Sequence, residues 1–338
     1  MARNRIIPIF VPHAGCPHQC VFCNQKRIGG GGTALNGESV RKMLEEGLQR
    51  TPAAEAAFYG GSFTAIPAWQ QEELLSAVAP YLKSGAISAI RLSTRPDAVD
   101  AQKVERLERF GVKTVELGSQ SMCDAVLQAS GRGHTACDTE RAVVCLKRAG
   151  LRVILQMMTG LPGSSRETDR YTAERLIALR PDGVRIYPTV VVRDTPLFRM
   201  YTDGQYQPQT AEEAAECCAE LYRMFTAADI PVLRMGLQPT EELDRGGAVA
   251  GPYHPAFGEL VKSRILYENA ARLLAETDLQ TVTLLVRKDR LSAMIGQKRG
   301  NLLRLQREFP EKRLKVGISD CGEWEIRLQS DEIADTIT

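Results

Sequence analysis

Two apolar patterns alternate along the chain. Short, nearly continuous apolar runs recur, and each is followed by a longer segment whose apolar residues return every three or four positions. Ile6 to Val11 reads as a buried strand, and Ser39 to Arg50 carries Val40, Met43, Leu44 and Leu48 at helical spacing. Glu55 to Thr64 is a second strand ending in Tyr59-Gly60-Gly61-Ser62, with a helix after it through Trp69, Leu74, Leu75, Val78 and Leu82. Ala89 to Thr94 is the third, ending in Ser93-Thr94-Arg95-Pro96-Asp97 before helix positions Val104, Leu107 and Phe110. Thr114 to Leu117 is the fourth, ending in Glu116-Leu117-Gly118-Ser119-Gln120. A helix through Ala142, Val143 and Leu146 leads to the fifth, Arg152 to Met158, and one through Leu176, Ile177 and Leu179 leads to the sixth, Gly183 to Val192.

Alternation of this kind predicts an α/β fold with a parallel sheet. Two features favour a partial (β/α)6 TIM-like barrel over a doubly wound sheet. No Gly-x-Gly-x-x-Gly turn follows the first strand, and polar residues gather at the carboxyl end of every strand, where barrel chemistry sits. The barrel is expected over residues 1–262 and a small α+β domain over 263–338. In that tail, Thr281 to Arg287 alternates as a strand, and Asp289 to Ile295 and Asn301 to Phe309 read as helices around the basic loop Gly296-Gln-Lys-Arg-Gly300. Strands are expected at Leu314 to Ile318 and Trp324 to Leu328. The order resembles a KH module, in which a loop between helices clamps a nucleic-acid backbone, although three residues separate the glycines here instead of two.

Composition places the chain among ordinary globular proteins: 338 residues, 43% hydrophobic and 25% charged, enough to bury a core. No stretch approaches the ~18 apolar residues of a membrane helix, and the start lacks the apolar core of a signal peptide. Nine cysteines, an odd number, point to reduced thiols in the cytoplasm rather than a disulfide framework. The net charge of +2 hides an uneven distribution, since residues 285–315 carry ten Lys/Arg against three acids. That +7 segment is a candidate RNA surface; its bland alternative is a solvated basic face.

The strongest chemical signal lies in the loop after the first strand, Gly15-Cys16-Pro-His-Gln-Cys20-Val-Phe22-Cys23-Asn24. Thiolates are soft ligands suited to zinc, copper(I) or iron–sulfur clusters. A closed zinc site needs a fourth ligand, for which only His13 and His18 are near in sequence. Most cubane clusters use four cysteines, so three in so short a loop would leave one iron open to a small molecule.

Cys16-x-x-x-Cys20-x-Phe22-Cys23 resembles the signature of radical S-adenosylmethionine (SAM) enzymes, including the aromatic residue before the third cysteine. The resemblance implies a 4Fe–4S cluster on Cys16, Cys20 and Cys23, SAM on the open iron, and reductive cleavage to methionine and a 5′-deoxyadenosyl radical, with a flavodoxin- or ferredoxin-type electron donor. It further implies that Gly60-Gly61 binds the SAM amino group, with Ser62 where an acid is usual; a tight turn is the plain alternative. Arg95, with Ser93, is a candidate clamp for the SAM carboxylate. Glu116 and Gln120 are candidates for ribose hydroxyls or for structural support, and Gln156 for ligand contact or structural satisfaction. Gly160-Leu161-Pro162-Gly163 is placed beside the adenine. Tyr187 is a candidate for the substrate pocket or for the core, His134 a weak catalytic candidate, and Cys123 the one remaining cysteine near a strand end.

The strand-end phrases, with Arg132-Gly133-His134 and Gly251-Pro-Tyr-His-Pro-Ala-Phe257, resemble the radical SAM half of the elongator catalytic subunit family over about Ile6 to Val261. That family joins the barrel to an acetyltransferase and acts on the wobble uridine of tRNA. Only 77 residues follow Val261, too few for an acetyltransferase domain. Gln297-Lys-Arg-Gly-Asn-Leu302 half-matches an acetyl-CoA loop but ends without Gly or Ala, so acetyl transfer is not expected. The expectation is a radical SAM enzyme acting on RNA or tRNA. Its alternatives are a radical oxidoreductase of a small molecule and a non-catalytic, cluster-containing RNA-binding protein.

Overall fold

The computed structural model describes residues 5–11, 16–24, 35–52 and 54–330. Seven parallel strands lie side by side in chain order: β1 (Ile6–Phe10), β2 (Ala54–Tyr59), β3 (Ile87–Thr94), β4 (Val112–Gln120), β5 (Arg152–Thr159), β6 (Gly183–Pro188) and β7 (Val232–Met235). The sheet curls into a half-barrel with β1 and β7 at its open edges. The strands are buried along most of their length because helices cover one face and the barrel interior the other; in β4 only Lys113 reaches solvent. Helices start on side-chain caps: Asn36 accepts from Ser39 N and Asp100 from Lys103 N, while Thr135 with Asp138 and Thr210 with Glu213 form reciprocal boxes.

All six expected strands are present, and three details differ. The second strand stops at Tyr59 instead of Thr64, with a short 3-10 helix at Phe63–Ala65. β7 adds a seventh: it is four residues long, directly follows Pro231 and contains no fully buried residue, so it lacks the apolar run that marks the others. The sixth strand stops at Pro188 instead of Val192. Thr189 turns the chain by donating both its N–H and its hydroxyl to Thr159 O, at 2.9 and 2.7 Å, and Val191–Val192 pairs antiparallel with Ala248–Ala250 instead.

The tail forms β8 (Thr281–Val286), β9 (Arg313–Ile318) and β10 (Arg327–Ser330), with β8 central, parallel to β9 and antiparallel to β10. Its last strand begins at Arg327, since Trp324 is used for packing: its ring stands edge-on to Tyr222 at 5.3 Å and 74°. The expected domain boundary between residues 262 and 263 falls inside the helix Phe257–Ala275. That helix gives Phe257, Val261 and Ile265 to the barrel core and Leu266, Tyr267, Ala270 and Leu274 to the core of the tail.

Within the half-barrel, Glu116 on β4 is 1% exposed and accepts from four neighbouring strands. Its Oε1 receives Tyr59 Oη at 2.8 Å, Arg91 Nη1 at 3.1 Å and Arg185 Nη2 at 3.0 Å; Oε2 receives Gln156 Nε2 at 2.9 Å. Arg91 also pairs with Glu55. A charge taken this far from water is tolerated only when paired and hydrogen-bonded. Replacing Glu116 by Ala leaves two arginines facing each other in the interior. Glu116→Ala is therefore expected to lower unfolding stability by roughly 3–5 kcal/mol, read from the denaturant midpoint; an unchanged midpoint would show that the sheet does not depend on this junction.

Candidate cofactor site at the carboxyl ends of the strands

The cysteine loop sits over the strand ends, held from three sides. Val21 N donates to Ser130 O at 3.1 Å, Val21 O accepts from Leu197 N at 2.8 Å, and Asn24 Nδ2 donates to Arg193 O at 3.1 Å. His13 lies outside the described residues.

Cys16, Cys20 and Cys23 line one cavity of about 310 Å³ together with Phe22. Gly60, Gly61 and Ser93 enter it from β2 and β3, and Arg95, Gln120 and Gln156 from β3, β4 and β5. Glu116 is absent from its wall and lies beneath, with both oxygens engaged as described. The turn at 160–163, His134, Cys123 and Tyr187 do not line this cavity either. Gly60 is in the left-handed region (φ +99°), where an added Cβ would stand 3.1 Å from Val11 O, so the turn is built for glycine and close approach. Ser62 is buried against Thr94 Oγ1 at 3.0 Å and accepts from Arg95 N at 3.1 Å, tying the glycine turn to β3.

Arg95 is less available than the sequence suggests. Its Nε and Nη2 donate to Asp97 at 2.9 and 3.1 Å, so its bidentate edge is occupied and Nη1 is the buried donor left without a partner. Gln120, at the end of β4, has φ +63° and a buried Oε1 with no partner. His134 is buried, bonds Ser119 O at 3.1 Å, and is held down to about 3 by burial, with Arg132 and Arg95 adding to the effect. It is a neutral packing residue here. Cys123 packs beside Met158 and Leu161.

A second cavity of about 570 Å³ adjoins the first and shares Phe22, Cys23 and Gln120 with it. Phe10, Met158 and Tyr187 give it apolar walls, so Tyr187 faces a pocket as well as the sheet. A larger groove of 710 Å³ lies away from this site, on the outer layer between the helices Ala101–Arg109 and Ala136–Arg148.

The donor set fits an iron–sulfur cluster. Burial raises the Cys16 thiol, and burial together with neighbouring Cys20 and Cys16 pushes Cys23 up to about 12. A cation offsets the cost of burying thiolates, and a cluster's iron would supply one. Among the described residues no three Cys, His, Asp or Glu side chains converge on a point that one ion could occupy. A lone zinc, bonded to each sulfur at ~2.3 Å, would require such convergence.

The residue that sequence reasoning missed is Arg132, buried in Gly131-Arg132-Gly133, whose Nη1 donates to Cys20 Sγ at 3.3 Å. The signal was the pair of flanking glycines. An added Cβ would lie 2.9 Å from Gln19 O at Gly131 and 2.3 Å from the His18 ring at Gly133, both at positive φ.

A half-barrel of parallel strands carrying a three-cysteine loop at its carboxyl face is the arrangement of the radical SAM superfamily. Its family model matches residues 10–176 and the radical SAM C-terminal domain matches 181–266; the chain belongs to this superfamily. It is a radical SAM enzyme, whose cofactors are a 4Fe–4S cluster and SAM. The tRNA uridine(34) acetyltransferase of Methanocaldococcus jannaschii is 37% identical over 131 residues, covering 38% of this chain and 24% of that protein. Human Elongator complex protein 3 is 25% identical over 209 residues, covering 53% and 38%. The chain thus spans well under half the length of these relatives. The solved structure of Methanocaldococcus infernus Elp3 has the same fold, with TM-score 0.62 and 23% identity over 78% of this chain and 63% of that one.

Two predictions come from this geometry. Gly133→Ala is expected to displace the cysteine loop and lower iron content after reconstitution at least several-fold, with His18→Ala in the same chain restoring part of it; full loading of the single variant would show that the loop can give way. The second concerns Asp169, buried beside the Gly160 turn and accepting Gly160 N at 3.2 Å. Burial raises its carboxyl from 3.8 to about 7. The fold favours the protonated form, so the contribution is present in acid and is lost as pH rises from about 4 through about 7. Asp169→Asn is expected to remove that slope and to be more stable than the parent at pH 8 by roughly 2–4 kcal/mol, measured by urea unfolding across pH.

Proposed function

We propose that Cys16, Cys20 and Cys23 hold the cluster, that SAM lies in the 310 Å³ cavity, and that the substrate atom losing hydrogen lies in the adjoining 570 Å³ cavity. The observation that carries this reading is the shared wall, Phe22, Cys23 and Gln120, which makes the two chambers neighbours. The chemistry supplied at the first chamber is one-electron cleavage of SAM to methionine and a 5′-deoxyadenosyl radical. The chain's own part is to bind and to shield. Gly60-Gly61 offers backbone to the methionyl end, Arg95 Nη1 and Ser93 offer donors, and Gln156 offers an acceptor, because its amide N–H is held by acceptor-only Glu116. The apolar walls keep water from a reactive intermediate.

For the substrate we propose an RNA base. The second chamber has aromatic walls suited to stacking, including Phe10, which is 55% exposed. The chain from Thr240 to Leu243 that borders it leads through a Tyr253–Asp244 bond of 2.6 Å to His254, whose ring lies 3.2 Å from Gln297 in the basic loop. That connection supports a reading in which Lys298 and Arg299 meet phosphates of a substrate whose base enters the chamber. The names of the relatives, tRNA-modifying proteins, support the same substrate class. A small-molecule substrate is favoured by one observation: Arg287, Arg290 and Arg304 are paired internally, so the basic face is smaller than its charge count.

Anaerobically reconstituted protein with SAM and a strong reductant is expected to form 5′-deoxyadenosine, and Cys20→Ala to form none. Deuterated tRNA should pass label into that product, and Lys298→Glu with Arg299→Glu should weaken tRNA binding at least tenfold. Product formation without label transfer and without tRNA binding would move the reading to a small molecule.

A further inference from the structure

Arg132 has an electrostatic position unlike that of the other guanidiniums in the barrel. It is only 7% exposed, yet among the described residues no carboxylate pairs with it. Arg91 and Arg185 answer Glu116, and Arg95 answers Asp97. Arg132 donates instead to Gly118 O through Nη2 and to Cys20 Sγ through Nη1 at 3.3 Å, and its backbone carbonyl is held by Arg95. A buried cation without an anion is costly. Among the described residues, the side chain it touches that can answer its charge is Cys20, whose sulfur accepts from Nη1 at 3.3 Å. The flanking glycines, whose added Cβ atoms would collide with Gln19 O and the His18 ring, let this segment come close enough for the contact.

We propose that Arg132 is a positioning residue that raises the reduction potential of the cluster held on Cys20, through a charge-assisted N–H···S bond and an uncompensated positive charge. The proposal rests on the reading of Cys20 as a cluster ligand. On reduction the cluster takes up one electron from the reductant, no bond is made or broken, and the cluster with its sulfurs gains one negative charge. A fixed cation and donor at a ligand sulfur stabilise that extra charge more than the oxidised state, which moves the potential upward. Arg95 contributes less because Asp97 neutralises it.

The test is a dithionite titration of reconstituted protein with redox mediators, followed by EPR, without SAM or substrate. Arg132→Met is expected to load iron and to shift the oxidised-to-reduced ratio at fixed potential by at least tenfold toward oxidised, about 59 mV lower for one electron. Arg132→Lys, which keeps the charge but not the fork, should fall between it and the parent. A potential unchanged in Arg132→Met at equal iron content overturns the proposal. Loss of the cluster in both variants also overturns it, by showing that the side chain serves assembly. Failure of the parent chain to assemble any cluster, with Cys20→Ala behaving alike, would instead overturn the ligand reading on which the proposal stands.

Discussion

The Glu116 carboxylate is the tie on which the half-barrel depends. A closed barrel holds its strands in a hoop of backbone hydrogen bonds, whereas this sheet ends in two open edges at β1 and β7. The interior supplies cross-ties in their place: Tyr59 from β2, Arg91 from β3, Gln156 from β5 and Arg185 from β6 all reach the same two oxygens on β4. Bidentate and shared guanidinium contacts fix the strand spacing in a way that apolar packing, which tolerates rearrangement, does not. The tie also reaches upward. An ionised carboxylate only accepts, so the Gln156 amide must turn its N–H to Glu116 and its oxygen toward the cofactor cavity. The charge below thus sets the polarity of one wall above.

Above that tie, the cysteine loop is seated by contacts with other loops, while side chains from β3, β4 and β5 close the cavity. Gly131 and Gly133 meet Gln19 O and His18, Leu197 N holds Val21 O, and Ser130 O holds Val21 N. The cysteine loop has little regular structure of its own, so these contacts are what set the thiols in place before any metal arrives. Burial and the neighbouring sulfurs hold the Cys16 and Cys23 thiols above their ordinary range, Cys23 up to about 12. The site is therefore strained toward accepting a cationic partner. The two chambers meeting at Phe22, Cys23 and Gln120 add a second constraint, since a change at any of these three alters the wall of both.

How much of this could be read in advance follows from how local each feature is. The cysteine spacing and the strand-helix alternation are encoded over a few residues, and both were legible. Glu116 stood open between a ribose contact and structural support, because its partners come from four other strands and leave no local mark. Arg132 was passed over because its partner, Cys20, is 112 residues away. Arg95 was read as a clamp although Asp97, two positions on, occupies its fork. The seventh strand was missed because β7 is short and half-exposed at an edge, and the sixth was drawn too long because the turn at Thr189 depends on Thr159 O rather than on any breaker in its own sequence. The boundary expected at 262 falls inside one helix that serves both cores.

The same helix decides what the basic tail can do. A count of charges over residues 285–315 gives an excess of seven, but charge in a folded chain is met locally first. Arg287 answers Asp289, Arg290 answers Glu323 and Arg304 answers Glu212, while Lys312 is buried with its ammonium on Thr277 O and Leu279 O. What remains concentrated and exposed is the loop at Lys298 and Arg299, whose backbones both lie in the left-handed region at φ +50° and +62°. Side chains other than glycine rarely stay there without support, and the support is visible: Asn301 Nδ2 donates to Ser263 O and Ala293 O, and Gln297 lies against His254. Both Ser263 and His254 belong to the stretch that joins the barrel to the tail. The loop is thus braced against the shared helix instead of hanging from a tether.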